Sequence, residues 1–473
     1  MVNVVAFVTL VLVFARALRV VDPYWDTLQY HWAYAARAAG LCDATCLSFD
    51  SGLEARYHGF PMLYHWAFGT LWRWSGTPLA GHLLSLAAVL ALCGYLRTRF
   101  AVPLAWSWLA LLAVPLVQIH VTASYADLTA NCALTIGVLA LLSRCLGKDQ
   151  GATVDLIVAA IALGVAAGTK LQLIPVAALA WMAISLVDIA NRRARTGAIA
   201  WGHAMLLAVV GVVATLPQVA WNAWQFGNPF YPIAFRIGGH AFPGTETLDL
   251  IQRASSLGIP WKDTPGPLRW LASVLEYGAF GWRDIPWTID QGNVPQSSAS
   301  FRMGGYFVAY VLALLAILLT MRRVSLRRPI WIILVSATIL CALLPNSHEL
   351  RYYLFWMLVL VAMALAVRHA PEFAGARAPS VTALDALILI VFASVISMTG
   401  ARYLRITGEH LDDLVAPTDA TLTGLRGGDT LCVANLDRHA ILYSRAFHPS
   451  SGVNVRMLQN SEGAGCTATI APH

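Results

Sequence analysis

Long apolar runs separated by short polar breaks fill most of the chain. Eleven runs reach helix length: 4–21, 79–96, 102–119, 128–146, 154–167, 171–189, 205–219, 307–319, 330–344, 354–367 and 384–398. Continuous apolar stretches of this kind predict membrane-crossing helices. Several fall short of the roughly 20 residues that a bilayer asks for. Those need flanking residues, or burial against neighbouring helices, to cross. The first run lacks a basic leader, and Asp22-Pro23 follows it instead of a small-residue cleavage site. It reads as a retained helix.

Composition agrees. The chain is 58% hydrophobic and 12% charged, with mean hydropathy +0.63. Soluble domains carry roughly twice that charged fraction. The net charge of +7 sits in short loops between apolar runs, so it reports topology and predicts no nucleic-acid partner.

Basic residues follow every even-numbered run. They are Arg97 and Arg99, Arg144 and Lys148, Arg192, Arg193 and Arg195, Arg322, Arg323, Arg327 and Arg328, then Arg368 and Arg377. Those loops are expected to face the cytoplasm. The N-terminus is then cytoplasmic and the C-terminus extracytoplasmic, with Arg16 and Arg19 running against the rule. Three long segments fall outside: 22–78, 221–305 and 399–473. In the first, two amphipathic helices over 28–39 and 60–74 are expected to lie along the interface, with Trp66, Phe68, Trp72 and Trp74 as anchors. The last is polar. Short apolar stretches at 430–434, 440–443 and 453–457 alternate there with turn residues, which predicts a small α/β domain. The expected organisation is an all-α transmembrane domain, 1–398, with about eleven spans, and a small extracytoplasmic domain, 399–473.

Cys93, Cys132, Cys145 and Cys341 lie in or beside the apolar runs, where Cys acts as a small apolar residue. Cys42, Cys46, Cys432 and Cys466 fall in outer segments, where an oxidising compartment lets each pair bridge. Cys42-x-x-x-Cys46 has the look of half a zinc site, but no second pair with ligand spacing follows, and the disulfide is the favoured reading.

Candidate chemistry sits at the outer ends of the runs. Asp22 and Asp26 leave the first run among Tyr24, Trp25, Tyr30 and Trp32. Asp127 opens the fourth run, Lys170 lies between the fifth and sixth, and Glu349 and Arg351 precede the tenth. Taken singly, each has an ordinary explanation: Asp22 as a helix stop, Asp127 as a cap, Lys170 as a snorkelling side chain. Ionisable groups at membrane depth are costly and mostly functional. All of these fall on one side, so a shared outer site is expected. His31, His58 and His65 lie near Glu54, which makes a divalent metal conceivable. Packing on aromatics is the commoner use, and no metal or other cofactor is predicted.

Three local patterns carry a family resemblance. One is Trp25-Asp26-Thr27-Leu28-Gln29-Tyr30-His31. Another is Trp224-Gln225-Phe226-Gly227-Asn228-Pro229-Phe230-Tyr231-Pro232. The last is Glu349-Leu350-Arg351-Tyr352-Tyr353. In order and sidedness, together with Asp127 and Gly168-Thr169-Lys170, the chain from Met1 to about Val367 resembles the GT-C superfamily of multi-span glycosyltransferases. The tail has no such match. The resemblance implies sugar transfer from a polyprenyl-phosphate-linked donor to a glycan, lipid or protein hydroxyl, with inversion, at the outer face of a bacterial inner membrane. Asp26 is followed by Thr27, where protein O-mannosyltransferases have an Asp-Glu pair, and this counts against a protein acceptor.

The resemblance implies Asp26 as base, with Asp127 orienting it or the acceptor and Asp22 as the other carboxylate. Lys170 and Arg351 are expected to hold the leaving phosphate, with Arg16 next in line. Tyr30, His31, Asn228, Glu349 and Tyr352 complete the binding candidates. Two other classes stay open: a transporter or flippase of a lipid-linked saccharide, and an O-antigen polymerase or ligase. The chain has no visible internal repeat, and its polar residues gather at one face, which favours the enzyme over a transporter.

Overall fold

The computed structural model describes residues 1–22, 26–43, 46–49, 62–147, 152–198, 201–247, 264–276, 287, 305–322, 324–376, 379–434, 438–458 and 465–470. Every one of the eleven apolar runs is helical over most of its length. Among the described residues four helices are long and apolar enough to cross a membrane unaided: Pro78–Phe100, Ala126–Cys145, Leu171–Thr196 and Leu326–Leu343. The pair Trp201–Thr215 and Pro217–Phe226, bent by 57°, has the length and composition of a fifth only when taken together. Val2–Ala17, Thr153–Thr169, Val308–Leu319, Phe355–His369 and Leu384–Met398 are apolar but shorter.

The run at 102–119 is broken. It forms Leu104–Leu112 and then Pro115–His120, with Pro115 as the first residue of the second piece. Proline has no N–H to continue the ladder of the first piece. The next amide, Leu116 N–H, donates instead to Gly305 O at 3.1 Å.

Two helices form the middle of the bundle. Ala126–Cys145 has 94% of its apolar window buried, and Phe355 to Val367 are buried without exception. The outer helices show the opposite. Val4, Phe7, Val8, Val11 and Phe14 are exposed on Val2–Ala17, and Met205, Leu206, Val209, Val212 and Val213 on Trp201–Thr215. Apolar surface this continuous is tolerated against lipid, not water.

Among the described residues two small sheets accompany the helices. Gly227, at φ 65°, ends Pro217–Phe226 in the left-handed conformation that glycine takes most easily. Asn228 then ties the turn together. Its Nδ2 donates to Ile233 O (2.8 Å) and Pro243 O (2.6 Å), and its Oδ1 accepts from Phe230 N–H (2.8 Å). The strand Ile233–Ile237 follows, antiparallel to His240–Phe242 and parallel to Glu246–Thr247. The sequence patterns did not predict this sheet.

The second sheet joins distant parts of the chain. Its order is Leu47–Phe49, Asn454–Met457, Thr430–Val433, Ala468–Ile470, all parallel. The tail therefore takes its edge strand from the segment between the first two apolar runs, with Leu47 opposite Val455. The Cys42–Cys46 disulfide precedes this strand, and Cys432–Cys466 ties Thr430–Val433 to the turn just before Ala468–Ile470. Leu431, Val433, Val455 and Met457 share one apolar cluster with Leu28, Trp32, Phe68 and Trp72 of the first segment.

That cluster corrects the expectation for two of the four anchors. The first of the two expected helices is a π-helix, Thr27–His31, running into Trp32–Ala38; the second is Met62–Ser75. Phe68 is buried against Tyr64 and Gly81, and Trp72 against Trp32 and Phe447 of the tail; of the expected anchors Trp66 and Trp74 are exposed. The helices touch where Gly69 faces Ala35: a Cβ on Gly69 would stand 2.2 Å from Ala35 O.

Candidate active site

Four charged side chains from four parts of the chain meet at one end of the bundle. Asp127 lies in the first turn of Ala126–Cys145 and is buried. Its Oδ1 accepts from Lys170 Nζ. Lys170 occupies the break between Ala152–Thr169 and the turn Leu171–Leu173, with extended backbone (φ −147°, ψ 117°). Asp127 Oδ2 lies 3.9 Å from Arg351 Nη1, and the same Nη1 donates to Asp26 Oδ2 at 3.1 Å. The charges alternate as Asp26, Arg351, Asp127, Lys170. Alternation lets each charge leave bulk water beside an opposite one, which holding like charges together would not.

Aromatic rings wall the row. The Arg351 guanidinium lies 5.1 Å from the Tyr125 ring centroid and 4.9 Å from that of Tyr352; Lys170 Nζ lies 4.2 Å from Tyr352. Cations over π faces gain electrostatically, more so when shielded from water.

Backbone ties fix the row. Asn131, one turn after Asp127, donates through Nδ2 to Asp127 O (2.8 Å) and Arg351 O (3.2 Å) and accepts from Phe355 N–H (2.8 Å). It fastens the late loop to the central helix. Tyr306 Oη donates to Leu350 O at 3.0 Å. Asp26 precedes the π-helix, and its N–H donates to Tyr125 Oη at 3.3 Å. A π-turn is costly and recurs at functional sites.

Asp22 stands apart from the charged row. Its Oδ2 accepts from Thr27 Oγ1 (2.8 Å) and Ser124 N–H (2.9 Å), and its Oδ1 lies 3.2 Å from His82 Nε2. His82 Nδ1 lies 2.8 Å from Ala17 O. Asp22 thus joins the end of the first helix, the π-helix and the 121–125 turn. Arg16 makes a similar join, donating to Thr122 Oγ1 (3.3 Å) and Arg405 O (2.6 Å).

His31 closes the π-helix, its Nδ1 3.1 Å from His65 Nε2 and its ring 5.8 Å from Tyr125. Burial, then the charge of His65, hold His31 well below the usual imidazole range. Tyr30 is buried with its ring 4.4 Å from His31. Glu349 opens the turn before Arg351, its carbonyl accepting from Tyr352 N–H at 2.9 Å. Asn228 spends its bonds within its own loop, as described above. Glu54 and His58 lie outside the described residues. Among the described residues no three His, Cys, Asp or Glu side chains gather as metal ligands.

No protein-family model matches the chain, and no curated protein sequence matches it. Solved structures do. A crystal structure of ArnT from Cupriavidus metallidurans in the apo state superimposes with TM-score 0.51 at 14% identity, covering 96% of this chain and 84% of that one. The same protein bound to undecaprenyl phosphate gives 0.47 at 14% identity, over 96% and 88%. The chain shares the fold of that apo ArnT structure.

Within this shared fold, the structure adds residues that the sequence patterns did not single out. Asn131 and Tyr125 hold the charged row in place, and His120 stands beside Tyr125, ring centroids 5.6 Å apart. A lone amide one turn after Asp127 inside an apolar run was a legible signal for Asn131. Tyr125 and His120 carry no comparable one-dimensional mark.

Proposed function

We propose that this protein is a membrane glycosyltransferase. It moves a sugar from a polyprenyl-phosphate-linked donor to an acceptor hydroxyl at the outer face of a bacterial inner membrane. The observation that carries this reading is the row Asp26–Arg351–Asp127–Lys170, two cations and two carboxylates held together within a multi-helix apolar bundle. The GT-C fold supports it as a frame for such chemistry.

The acceptor oxygen attacks the anomeric carbon as the bond from that carbon to the phosphate oxygen breaks. The bonding pair leaves with the phosphate, and Lys170 and Arg351 stabilise its developing charge. The phosphate is already a competent leaving group, so no strong acid is required. The acceptor proton passes to the Asp26 carboxylate. A single in-line displacement inverts the anomeric centre. Without substrate, Arg351 is bonded to Asp26. On this reading the donor phosphate draws Arg351 away and releases Asp26 for the acceptor. Asp127 holds both cations in reach of the phosphate.

The topology proposed with this function has the N-terminus cytoplasmic and the tail outside, where both disulfides form. The test uses purified protein in lipid nanodiscs with a polyprenyl-monophosphate sugar and mixed glycan and lipid acceptors. Consumption of the donor, without nucleotide or ion gradient, is the expected result. An intact donor, with vectorial movement of lipid-linked saccharide in vesicles, would favour a flippase. Consumption of only diphosphate-linked chains would favour a polymerase or ligase.

A further inference from the structure

His120 ends the Pro115–His120 helix and is fully buried. Among the described residues neither of its ring nitrogens has a hydrogen-bond partner. Leaving a buried polar group unpaired costs about 1–3 kcal/mol. The other buried histidines avoid this. His82 faces acceptors on both nitrogens, and His31 and His65 face each other. An apolar residue would fill the place of His120 at lower cost.

Its surroundings point to a missing partner. The His120 ring stands edge-on to Tyr125, at 78°. Tyr125 carries the Arg351 guanidinium over its face and takes the Asp26 N–H on its hydroxyl. His120 therefore lies in the layer next to the charged row, in the electrostatic field of Asp127, Arg351 and Lys170. A ring N–H one aromatic ring away from the Arg351 guanidinium suits an anionic oxygen better than any neutral acceptor.

We infer that His120 is a third ligand of the donor's phosphate, giving a hydrogen bond from a ring nitrogen to a phosphate oxygen alongside Arg351 and Lys170. This rests on the polyprenyl-phosphate reading above. The geometry separates it from a packing role, because the two roles predict opposite effects on the empty protein. A group kept for a ligand is a burden until the ligand arrives.

The test is thermal unfolding of the full-length protein in nanodiscs, with and without undecaprenyl phosphate. His120→Phe removes both nitrogens and keeps an aromatic ring. It should unfold at the same or higher temperature than wild type when empty. Its affinity for the lipid phosphate should drop roughly ten- to a hundredfold, the worth of one hydrogen bond to a charged group. His120→Gln, which retains an N–H donor, should recover part of that loss. If Phe is not accommodated, His120→Met, unbranched and adaptable, takes its place. Undiminished affinity for the lipid phosphate in the apolar variant overturns the role of His120 alone. So does an empty variant that is less stable while its ligand-induced shift is unchanged. A wild-type protein that undecaprenyl phosphate does not stabilise overturns the donor reading, and the His120 role with it.

Discussion

Arg351 reaches across 325 positions of sequence to bond Asp26, Nη1 to Oδ2 at 3.1 Å, while its other carboxylate neighbour, Asp127, stands 3.9 Å away. The proposed base and a proposed phosphate ligand are thus partners in the empty protein. The same bond that holds Asp26 in place also occupies it. Donor binding is then a precondition for base catalysis, which makes the expected kinetic order donor first, acceptor second.

The first prediction follows from that bond. Asp26→Asn keeps the shape and removes the proton acceptor. Transfer should fall by about a hundred- to ten-thousandfold. Donor affinity should stay the same or improve, because Arg351 loses a competing carboxylate. Single-turnover transfer and donor titration on one preparation measure both. Near-normal turnover would move the base to Asp127. A parallel loss of donor affinity would show that Asp26 supports the phosphate site instead.

Asp22 should behave differently. It accepts from Thr27 and Ser124 and faces His82, so its work is to join three segments. Asp22→Asn removes the carboxylate charge and so weakens the hydrogen bonds that Thr27 and Ser124 give to it. We expect a stability loss of about 1–3 kcal/mol and, in the folded fraction, a rate within a few-fold of wild type. Chemical denaturation and active-site-normalised turnover check this. A stable protein with no transfer would return Asp22 to the chemistry.

These two aspartates mark how far the sequence could be read. The apolar runs were legible because a bilayer imposes length and composition on every crossing segment. Asp26, Asp127, Lys170 and Arg351 were legible as candidates because charge at membrane depth is expensive wherever it occurs. What separates Asp22 from Asp26 was not legible, since both sit in one aromatic loop four residues apart. The difference lies in Thr27, His82 and Ser124 on one side and Arg351 on the other, and those contacts exist only in three dimensions. The edge strand Leu47–Phe49 was hidden for a similar reason. Three residues carry too little periodicity to register, and the tail that pairs with them begins hundreds of residues later. The Asn228 turn shows the converse: a recognisable motif whose side chain, in this structure, organises its own loop.

Lys170 and Asp127 allow a cleaner separation of folding from function. Lys170→Met leaves Asp127 buried with Arg351 as its remaining cation at 3.9 Å. Breaking a buried pair from one side typically costs about 3–5 kcal/mol. Adding Asp127→Asn should recover most of that stability, because replacing both partners leaves no uncompensated charge. Transfer should stay at least about a hundredfold down in both the single and the double variant, since the stabiliser of the leaving phosphate is gone. Unfolding midpoints and single-turnover rates for the four members of the cycle decide it. Recovery of rate along with stability would mean that Lys170 serves only to neutralise Asp127.

His31 sets the expected acid limit of the fold. Burial and the nearby charge of His65 hold its folded value well below the ordinary 6.5. The unfolded chain therefore binds the proton more tightly than the folded protein does. Stability tied to neutral His31 is fully present above pH about 6.5, and it is lost as pH falls from there toward the depressed folded value. The loss approaches about 1.4 kcal/mol per pH unit for one such group. The unfolding temperature of wild type should thus decline between pH 7 and 5. His31→Gln, which keeps a donor and an acceptor toward His65 but does not titrate, should decline less steeply over the same interval. Because other titrating groups are common to both proteins, the difference between the two curves isolates His31. Parallel curves would mean that His31 is as easily protonated in the folded protein as in the unfolded chain, and that the π-helix it closes is open to water.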